Sequence, residues 1–295
     1  MLARLSDVEI WRLLESDDAL MPLARFFPEL TAEALAPHRA GLIPHALRPH
    51  AETGEDWIRL PVQAFLIRTP RRTILVDACV GDDKTVPHLP QWHRRKDPRF
   101  MAALAAAGAR PEDVDLVLCT HLHVDHVGWT TRLSNGRWVP TFPNARVLTT
   151  AEDLAFAEDR ALADPEGAAG RVFAETLAPL VEAGVVETVP PDHQPDEAVR
   201  LRPTPGHTPG HVSVEILAGE GALVTGDFIH SPLQCALPDL NPVVDADKAR
   251  AAATRRAMLE ELAETRRLTL ATHFPLPSAG RIARDGPAFA WTPIA

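Results

Sequence analysis

The chain has 295 residues, of which 45% are hydrophobic and 24% are charged, and its formal net charge is −10. An apolar fraction of this size forms an ordinary buried core, which excludes a largely disordered chain. No apolar run reaches the roughly 18 residues of a membrane span, and net acidity disfavours a nucleic-acid partner. Three scattered cysteines exclude a disulfide framework, and no signal peptide is visible, so we expect a cytoplasmic protein.

The predicted elements alternate between strands and helices along the chain. In chain order they are the strands Asp7–Leu14, Trp57–Ile67 and Thr73–Val76, the helix Met101–Ala107, the strands Asp115–Cys119 and Ala145–Leu148, the helix Arg171–Glu182, the strands Val185–Val189, Val199–Arg202, His211–Ile216 and Ala222–Thr225, the helix Ala246–Arg266, the strand Leu268–Ala271, and a hairpin of Gly280–Ala283 with Ala288–Trp291. Strands interrupted by helices, twice over, predict sheets with helices on their outer faces, an α/β or α+β fold.

Two polar regions that contain prolines, Glu33–Pro49 and Gly81–Pro98, are assigned to no element. Long loops without structure of their own often cover binding sites. A solvated surface loop explains the same composition, so both interpretations stay open at this point.

A dense cluster of metal-ligand residue types directly follows the predicted strand Asp115–Cys119. Three imidazoles and one carboxylate fall within six residues, in the order His121, His123, Asp125 and His126. Alternate side chains share a face in extended backbone, which predicts that the first three lie on one side, and a turn then brings the last one to them. A divalent cation compensates the repulsion and the desolvation of such a cluster, so the motif predicts a metal site.

Three further residues of ligand type stand at the ends of predicted strands. His207 lies between two Pro-Gly pairs, which favour type II turns that fix the direction of the next side chain. Asp227 follows the strand Ala222–Thr225, and His273 follows Leu268–Ala271. Each of these alone also fits an ordinary turn or a hydrogen-bonded structural residue.

Together, the H-x-H-x-D-H motif and the three later residues resemble the metallo-β-lactamase superfamily. The resemblance spans about residues 55–290 and includes Asp77, where the family typically has an aspartate that orients the metal site. It implies an αββα sandwich, with two sheets face to face, helices outside and the metals at one edge. We expect residues 1–295 to form a single domain of this type, in which an N-terminal extension, residues 1–55, packs near the active site.

The resemblance also implies how the ligands are divided between two metals. His121, His123 and His207 would hold the first metal, Asp125, His126 and His273 the second, and Asp227 would bridge them. Imidazole and carboxylate ligands suit Zn²⁺, with Mn²⁺, Fe²⁺, Co²⁺ and Ni²⁺ as alternatives set by availability. Two such cations would supply a bridging hydroxide for attack on a carbonyl or phosphoryl centre, and the resemblance implies that Asp125 would serve as a proton shuttle as well as a ligand.

Departures from individual branches of the family narrow the function. Only a short segment follows His273, so we expect no C-terminal domain like that of glyoxalase II relatives, and the acidic charge disfavours the nuclease branches. The pattern is most similar to the lactonase and organophosphate-hydrolase branch, which predicts hydrolysis of a small ester or lactone. A phosphotriesterase or a hydrolytic dehalogenase with the same site remains the alternative. A non-catalytic metal-binding protein and a β-lactamase are disfavoured.

His230 is where the sequence departs from the lactonase pattern. N-acyl-homoserine lactonases typically place a tyrosine three residues after the bridging aspartate, and here that position is His230. We predict that its imidazole donates a hydrogen bond to a substrate oxygen, with a structural histidine as the alternative. Phe26, Phe27, Trp92 and Trp129 are the candidate aromatic residues near the substrate, with ordinary packing as the alternative for each. We expect a small-molecule partner, no nucleic acid and no membrane, and a homodimer stays open.

Overall fold

Two large β-sheets form the centre of the computed structural model, which describes residues 1–294. The first sheet has seven strands, which lie in the order Ala3–Leu5, Val8–Ser16, Val62–Arg68, Thr73–Val76, Leu116–Leu118, Arg146–Thr150 and Val186–Val189. The second sheet has six strands, which lie in the order Val199–Pro203, Val212–Ile216, Ala222–Val224, Leu268–Leu270, Ala279–Asp285 and Ala288–Pro293. Both sheets mix parallel and antiparallel neighbours.

Two smaller sheets and a set of helices surround the pair of large sheets. The smaller sheets are the three-stranded Ala19–Pro22, Asp56–Arg59 and Leu47–Pro49 and the hairpin Thr131–Ser134 with Arg137–Pro140. The α-helices are Leu23–Phe26, Ala32–Leu42, Arg99–Ala106, Val124–Val127, Ala151–Ala163, Ala168–Val172, Ala178–Glu182, Leu233–Ala236 and Lys248–Thr265. A π-helical turn, Phe173–Leu177, joins two of them, and Pro111–Asp113 and Gly128–Thr130 are 3₁₀ turns.

Side-chain alternation in the first sheet explains the layered architecture. In the strand Thr73–Val76, Ile74 and Val76 pack toward the second sheet against Val214 and Leu270. Leu75 faces the opposite way, into the cluster that contains the helical residues Phe100 and Leu104. Since successive side chains of a strand point to opposite faces, a strand that is apolar throughout is covered on both sides.

The second sheet is covered on its outer face by the long helix Lys248–Thr265. Leu223 and Ile282 of the sheet share an apolar cluster with Met258, Leu259 and Leu262 of the helix. The order of layers is therefore helix, sheet, sheet, helix, and the predicted αββα sandwich is confirmed.

Most predicted elements are confirmed with shifts of one or two residues at their ends, but Trp57–Ile67 was wrong as a single strand. The extended segment is divided near Pro61 into two strands. Asp56–Arg59 belongs to the three-stranded sheet, and Val62–Arg68 belongs to the first large sheet. Proline has no amide hydrogen for the ladder, which ends the pairing there.

Two helices of more than ten residues were missed by the sequence analysis. Ala32–Leu42 overlaps the unassigned region Glu33–Pro49, and Ala151–Ala163 was not predicted at all. Both begin with a side-chain cap: Thr31 accepts a hydrogen bond from the amide of Ala34, and Thr150 accepts one from the amide of Asp153. No helix among residues 1–294 is long and apolar enough to cross a membrane.

Candidate metal centre

The strand topology brings the ends of four strands to one edge of the sandwich. Val76 pairs with Leu118 in the first sheet, and Val224 pairs with Leu270 in the second, and both pairs run parallel. Parallel neighbours end at the same edge of a sheet, so the residues that follow them meet there. The polar residues that follow are Asp77, His121, Asp227 and His273.

The histidine-rich motif leaves the strand before its first ligand-type residue. The strand ends at Leu118, and Val124–Val127 forms one turn of helix with His123 as its N-cap. The expected continuation of extended backbone through the motif was therefore wrong. A turn nevertheless brings His121 and His123 together, with Nε2 of the first 3.0 Å from Nδ1 of the second.

His207 completes a first group of three nitrogens. It lies in the loop after the strand Val199–Pro203, and its Nε2 is 3.0 Å from Nδ1 of His123. The loop contacts the long helix so closely that a Cβ atom at Gly206, where φ is 133°, would lie 2.3 Å from the amide nitrogen of Ala251. The ligand atoms of this first group, His121, His123 and His207, lie within 4.8 Å of one another.

Asp227 stands between the first group and a second group, which consists of Asp125, His126 and His273. Its Oδ1 atom lies 3.4 Å from Nε2 of His126 and 3.1 Å from Nε2 of His273. Its Oδ2 atom lies 3.5 Å from Nε2 of His207. The carboxylate therefore turns one oxygen toward each group, as a bridging ligand does between two metals.

Central polar atoms of the site have no hydrogen-bond partner among residues 1–294. Nε2 of His126 and Oδ1 of Asp227 are both buried and unpaired. Such atoms destabilise a protein by about 1–3 kcal/mol each unless another group satisfies them. Imidazole and carboxylate groups are the ligands that zinc and its first-row neighbours take. The donor set therefore fits two divalent cations.

Burial and charge set the protonation of the site in opposite directions. Burial holds the pKa values of His121 and His207 well below the ordinary imidazole value. Burial also opposes the charged form of His126, but Asp227, Asp77 and Asp125 together hold its pKa well above that value. The imidazoles of His121 and His207 are therefore held in the neutral form, whereas the carboxylates around His126 favour its protonated form.

Each of four central imidazoles also binds an oxygen through the Nδ1 atom that faces away from the centre. The partners are Oγ1 of Thr120 for His121 at 3.1 Å, Oδ2 of Asp77 for His126 at 2.9 Å, Oδ1 of Asp245 for His207 at 2.9 Å, and the carbonyl of Pro61 for His273 at 2.8 Å. A hydrogen bond at one ring nitrogen fixes the tautomer and directs the other nitrogen to the metal. The predicted contact of Asp77 with a central imidazole is confirmed.

The backbone around Asp227 leaves no room for a side chain before it. Gly226 has φ 56°, and a Cβ atom there would lie 2.6 Å from Nε2 of His211. That same nitrogen accepts a 2.8 Å hydrogen bond from the amide of Asp227. The glycine therefore allows His211 to hold the backbone of the central carboxylate.

Comparison with known families decides the classification. A sequence profile described as the metallo-beta-lactamase superfamily matches residues 57–273. The chain belongs to the metallo-β-lactamase superfamily. The resemblance inferred from the histidine motif is confirmed.

Among curated relatives within the superfamily, N-acyl homoserine lactonases match this chain. One from Bacillus cereus is 26% identical over 186 residues, which cover 58% of this chain and 64% of the relative. Another, from Bacillus sp, is 25% identical over 176 residues, which cover 56% and 61%. The alignments thus span less than two thirds of the length of these lactonases.

Solved structures of the superfamily match nearly the whole chain. A dizinc quorum-quenching lactonase, AidC, solved in complex with a product, has a TM-score of 0.81 at 22% identity and covers 99% of this chain and 96% of its own. The hydrolase AbOPH, described as a member of the beta lactamase superfamily, has a TM-score of 0.78 at 26% identity with the same coverage. These likenesses confirm the predicted fold.

A cavity of about 440 Å³ opens onto the centre, and its walls are mostly apolar. Its lining includes the central residues His123, Asp125, His207, Asp227 and His230, the aromatic residues Phe26, Trp92, Phe156 and Phe173, and the aliphatic residues Leu20, Leu60, Leu89, Val172 and Leu177. The size and character of the cavity are those of a small-molecule site.

Two of the four aromatic residues expected near the substrate are elsewhere. Phe26 and Trp92 line the cavity. The prediction for Trp129 was wrong. Its ring stacks on Phe100 with the centroids 5.3 Å apart, and its Nε1 donates to the buried carboxylate of Glu15 at 2.8 Å. The prediction for Phe27 was also wrong, since this side chain is fully buried in the apolar core. Adjacency along the sequence does not imply adjacency to the site when the chain turns sharply.

His230 lies at the centre of the site and lines the cavity. Its Nε2 is 3.0 Å from Oδ2 of Asp227, and its ring stacks parallel to that of His273 at 5.6 Å. The side chain is buried, and neither ring nitrogen has a hydrogen-bond partner among the residues described. It is therefore available to a ligand in the cavity.

Sequence reasoning missed Asp153 as a residue that supports the site. Its carboxylate accepts hydrogen bonds from the amide of Leu122 at 3.1 Å and from that of Gly210 at 3.2 Å, which joins the two histidine-bearing loops. Burial raises its pKa to about 6. The signal was present, since Thr150 followed three residues later by Asp153 is a helix-start pattern.

Proposed function

We propose that this protein is a dinuclear metal-dependent hydrolase of small esters and lactones. The single observation that carries the proposal is the position of Asp227, whose two oxygens face two separate groups of ligand-type atoms. Under this proposal His121, His123 and His207 hold one cation, and Asp125, His126 and His273 hold the other. When bound, the two cations supply an activated water and polarise the substrate oxygen.

Zinc is the metal we propose for both positions. Five imidazoles and two carboxylates make up the proposed donor set, and no cysteine is among them. The set leaves out His230, although its ligand atom lies within 4.8 Å of those of His207 and Asp227. Ligands of this kind suit Zn²⁺ best among the abundant divalent ions, with Mn²⁺, Fe²⁺, Co²⁺ and Ni²⁺ open as alternatives. The dizinc lactonase with the same fold is consistent with this choice.

Asp125 is placed to move a proton during ester cleavage. It lines the cavity and is only partly buried, while its Oδ2 lies 3.7 Å from Nε2 of both His126 and His273. We propose that this carboxylate accepts the proton of the attacking water and passes it to the leaving alkoxide. A carboxylate that contacts both the centre and the cavity can serve both ends of the transfer.

His230 is placed to bind the substrate oxygen. Neither ring nitrogen has hydrogen-bond geometry to a described residue, although Nε2 lies 3.0 Å from Oδ2 of Asp227, so one nitrogen can donate a hydrogen bond to the oxygen on which charge develops. Phe26 packs edge-on against the ring at 5.5 Å and limits its rotation. We propose that this imidazole supplies the donor that a tyrosine supplies in the lactonase pattern.

The cavity supports a substrate with an apolar arm. Phe156, Val172, Phe173 and Leu177 form an apolar wall, and none of them can bind a polar substituent. The curated relatives are N-acyl homoserine lactonases, whose substrates by name combine a lactone with an acyl group. We therefore propose lactones and small esters that carry an aliphatic or aromatic group.

A substrate panel tests this proposal directly. The zinc-loaded enzyme should hydrolyse γ-lactones and aryl esters with apolar substituents, and Asp227→Ala should remove most of this activity. Asp239→Ala is the matched control, because Asp239 pairs with Arg256 on the surface and its side chain is 74% exposed.

The same panel separates the alternatives. If the enzyme hydrolysed phosphotriesters but not lactones or esters, the proposed substrate class would be wrong and the phosphotriesterase alternative would hold. An absence of all hydrolysis by protein that holds two equivalents of zinc would overturn the enzymatic function itself.

A further inference from the structure

A buried ion pair lies directly behind His207. Oδ1 of Asp245 accepts a hydrogen bond from Nδ1 of His207 at 2.9 Å, and Oδ2 of the same carboxylate lies 3.1 Å from Nη2 of Arg255. The side chains of Asp245 and Arg255 are both fully buried. A buried pair of charges adds little net stability, because the loss of hydration offsets the attraction. Its position behind a ligand-type nitrogen therefore needs another explanation.

Arg255 binds more than the carboxylate. Its guanidinium donates to the carbonyl of Phe228 at 2.9 Å, directly after Asp227 in the chain, and to the carbonyls of Pro238 at 2.8 Å and Leu240 at 2.9 Å. A single side chain of the long helix thus contacts the segment that carries the central carboxylate and the carboxylate that holds His207.

The loop that carries Asp245 is also fixed to the loop that carries His207. The amide of Ala246 donates to the carbonyl of His207 at 3.0 Å, and the amide of Asp247 donates to the carbonyl of Gly206 at 2.9 Å. Asp247 then caps the long helix by accepting from the amide of Arg250. Backbone and side-chain contacts therefore define the direction of the His207 ring together.

We propose that Asp245 and Arg255 are positioning residues that set the metal affinity of the first group, His121, His123 and His207. Asp245 holds the proton on Nδ1 of His207, so that the lone pair of Nε2 points to the centre. Arg255 keeps the carboxylate in that orientation. This inference rests on the proposed dinuclear centre and adds a residue pair to which neither the sequence pattern nor the family resemblance gave a role.

The second group is supported by different chemistry. Asp77 binds Nδ1 of His126, and it is held by the amide and the hydroxyl of Thr120, at 2.8 Å and 2.9 Å, with no cation involved. Loss of the Asp245–Arg255 pair should therefore weaken one metal position and leave the other in place.

Metal titration of variants tests the proposal. Asp245→Asn keeps the shape of the side chain and removes its charge, and Asp245→Asn/Arg255→Met removes both charges and leaves no unpaired ion in the core. The matched control is Asp239→Asn/Arg256→Met, which removes an exposed ion pair of 2.7 Å from the same helix and the preceding loop. Zinc affinity is measured by competition with a chromophoric chelator, and the visible spectrum of the cobalt-substituted protein reports coordination.

We expect one of the two zinc equivalents to bind 10- to 100-fold more weakly in both core variants. In Asp245→Asn, which keeps the hydrogen bond from Arg255 to the carbonyl of Phe228, the other equivalent should change less than 3-fold. The cobalt spectrum should change in intensity, and circular dichroism should match the wild type. The control should keep both affinities within 3-fold.

Unchanged affinity of both equivalents in Asp245→Asn would overturn the positioning role. Equal weakening of both, together with loss of circular dichroism, would overturn it in favour of a purely structural ion pair. Wild-type protein that binds fewer than two equivalents would instead refute the proposed dinuclear centre, and so the two failures are distinguishable.

Discussion

His211 accepts a 2.8 Å hydrogen bond at Nε2 from the backbone amide of Asp227. Because this nitrogen is the acceptor, the ring proton is on Nδ1, which donates to the carbonyl of Thr204 at 3.0 Å and contacts its hydroxyl at 2.8 Å. Burial lowers the pKa of His211 to about 4, so the ring is neutral at physiological pH. The chain thus uses one imidazole to hold the backbone of the carboxylate that the metals are proposed to share.

Replacement of His211 by alanine should weaken the proposed metal centre. The variant leaves the amide of Asp227 without an acceptor and lets the carboxylate turn, so we expect zinc retention and kcat/KM to fall about 10- to 100-fold. Thr204→Val is the comparison variant, since the carbonyl of Thr204 remains as an acceptor, and its loss should be several-fold smaller. Zinc content after gel filtration measures the effect. Equal zinc content in wild type and His211→Ala would contradict this role.

Replacement of Gly226 by alanine should destabilise the protein strongly. The new Cβ atom would lie 2.6 Å from Nε2 of His211 and 3.1 Å from Cβ of Thr120, on a backbone with φ 56°. A left-handed alanine costs about 1–2 kcal/mol, and overpacking adds about 1–3 kcal/mol. Urea unfolding of the metal-free protein measures the sum.

Gly286→Ala is the control that separates the cost of the backbone conformation from the cost of the contact with His211. Gly286 has φ 58°, nearly the same as Gly226, and nothing lies within 4 Å of a Cβ atom built there. This variant should therefore lose only the roughly 1–2 kcal/mol of unfolding free energy that a left-handed alanine costs. Equal losses in the two variants would show that the contact with His211 is relieved by a small shift.

Replacement of His230 by alanine should lower kcat more than it raises KM. If the imidazole donates to the substrate oxygen, the loss is about 10-fold to 100-fold in kcat, because the metals share the same task. His230→Tyr should retain part of the activity, since a phenol also donates. Steady-state kinetics on a lactone or an aryl ester that the wild type hydrolyses measure the effects on kcat and on KM separately.

Two results would assign another role to His230. A change in zinc content or in the cobalt spectrum of His230→Ala would make it a metal ligand, which its 3.0 Å distance from Asp227 permits. A lower melting temperature with kcat/KM within a few-fold of wild type would make it structural.

Lys84 should make the protein more stable as the pH rises above 7. Burial lowers its pKa to about 7, and its Nζ donates to Oγ1 of Thr131 at 2.6 Å and to the carbonyl of Glu175 at 3.1 Å. Between pH 7 and the unfolded value near 10.5, the unfolded chain binds the proton more tightly than the folded one. The free energy of unfolding therefore rises with pH by at most about 1.4 kcal/mol per unit.

The comparison of Lys84→Met with wild type measures this dependence. The difference in unfolding free energy between them should change between pH 7 and pH 9.5. Lys96→Met is the control, because the side chain of Lys96 is 75% exposed. A constant difference for Lys84→Met over this range would mean that the amine stays charged in the fold.

Most strands of the two large sheets were predictable because their signal is local. Thr73–Val76 is buried after its first residue, and an apolar run of that length bounded by turns is typical of a covered strand. The helix Ala151–Ala163 escaped because its exposed residues outnumber its buried ones, so that no continuous apolar stripe marks it. The better indication of this helix was its N-terminal cap at Thr150. A cap is recognised from two residues, Thr150 and Asp153, and needs no apolar periodicity along the helix.

The candidate site was predictable where its residues are close in sequence or follow a strand. His121 and His126 come from one motif, and Asp227 follows a strand that was predicted. Arg255 and Asp245 were not recognised, because their role depends on which loop packs on the helix. One trace remains in the sequence: Arg255 occupies the apolar face of the long helix between Ala251 and Leu259, where a charge needs a buried partner.

The seven proposed ligands come from both large sheets, four from the turn after Leu118 and three from the edge of the second sheet. A bound cation therefore ties one half of the sandwich to the other at the edge where the two β-sheets meet. Binding to the folded state alone would add about 1.4 kcal/mol to its stability for each tenfold excess of free metal over the dissociation constant. The heat tolerance of this enzyme would then follow the metal supply of the cell that makes it, and starvation for zinc would lower its abundance as well as its activity.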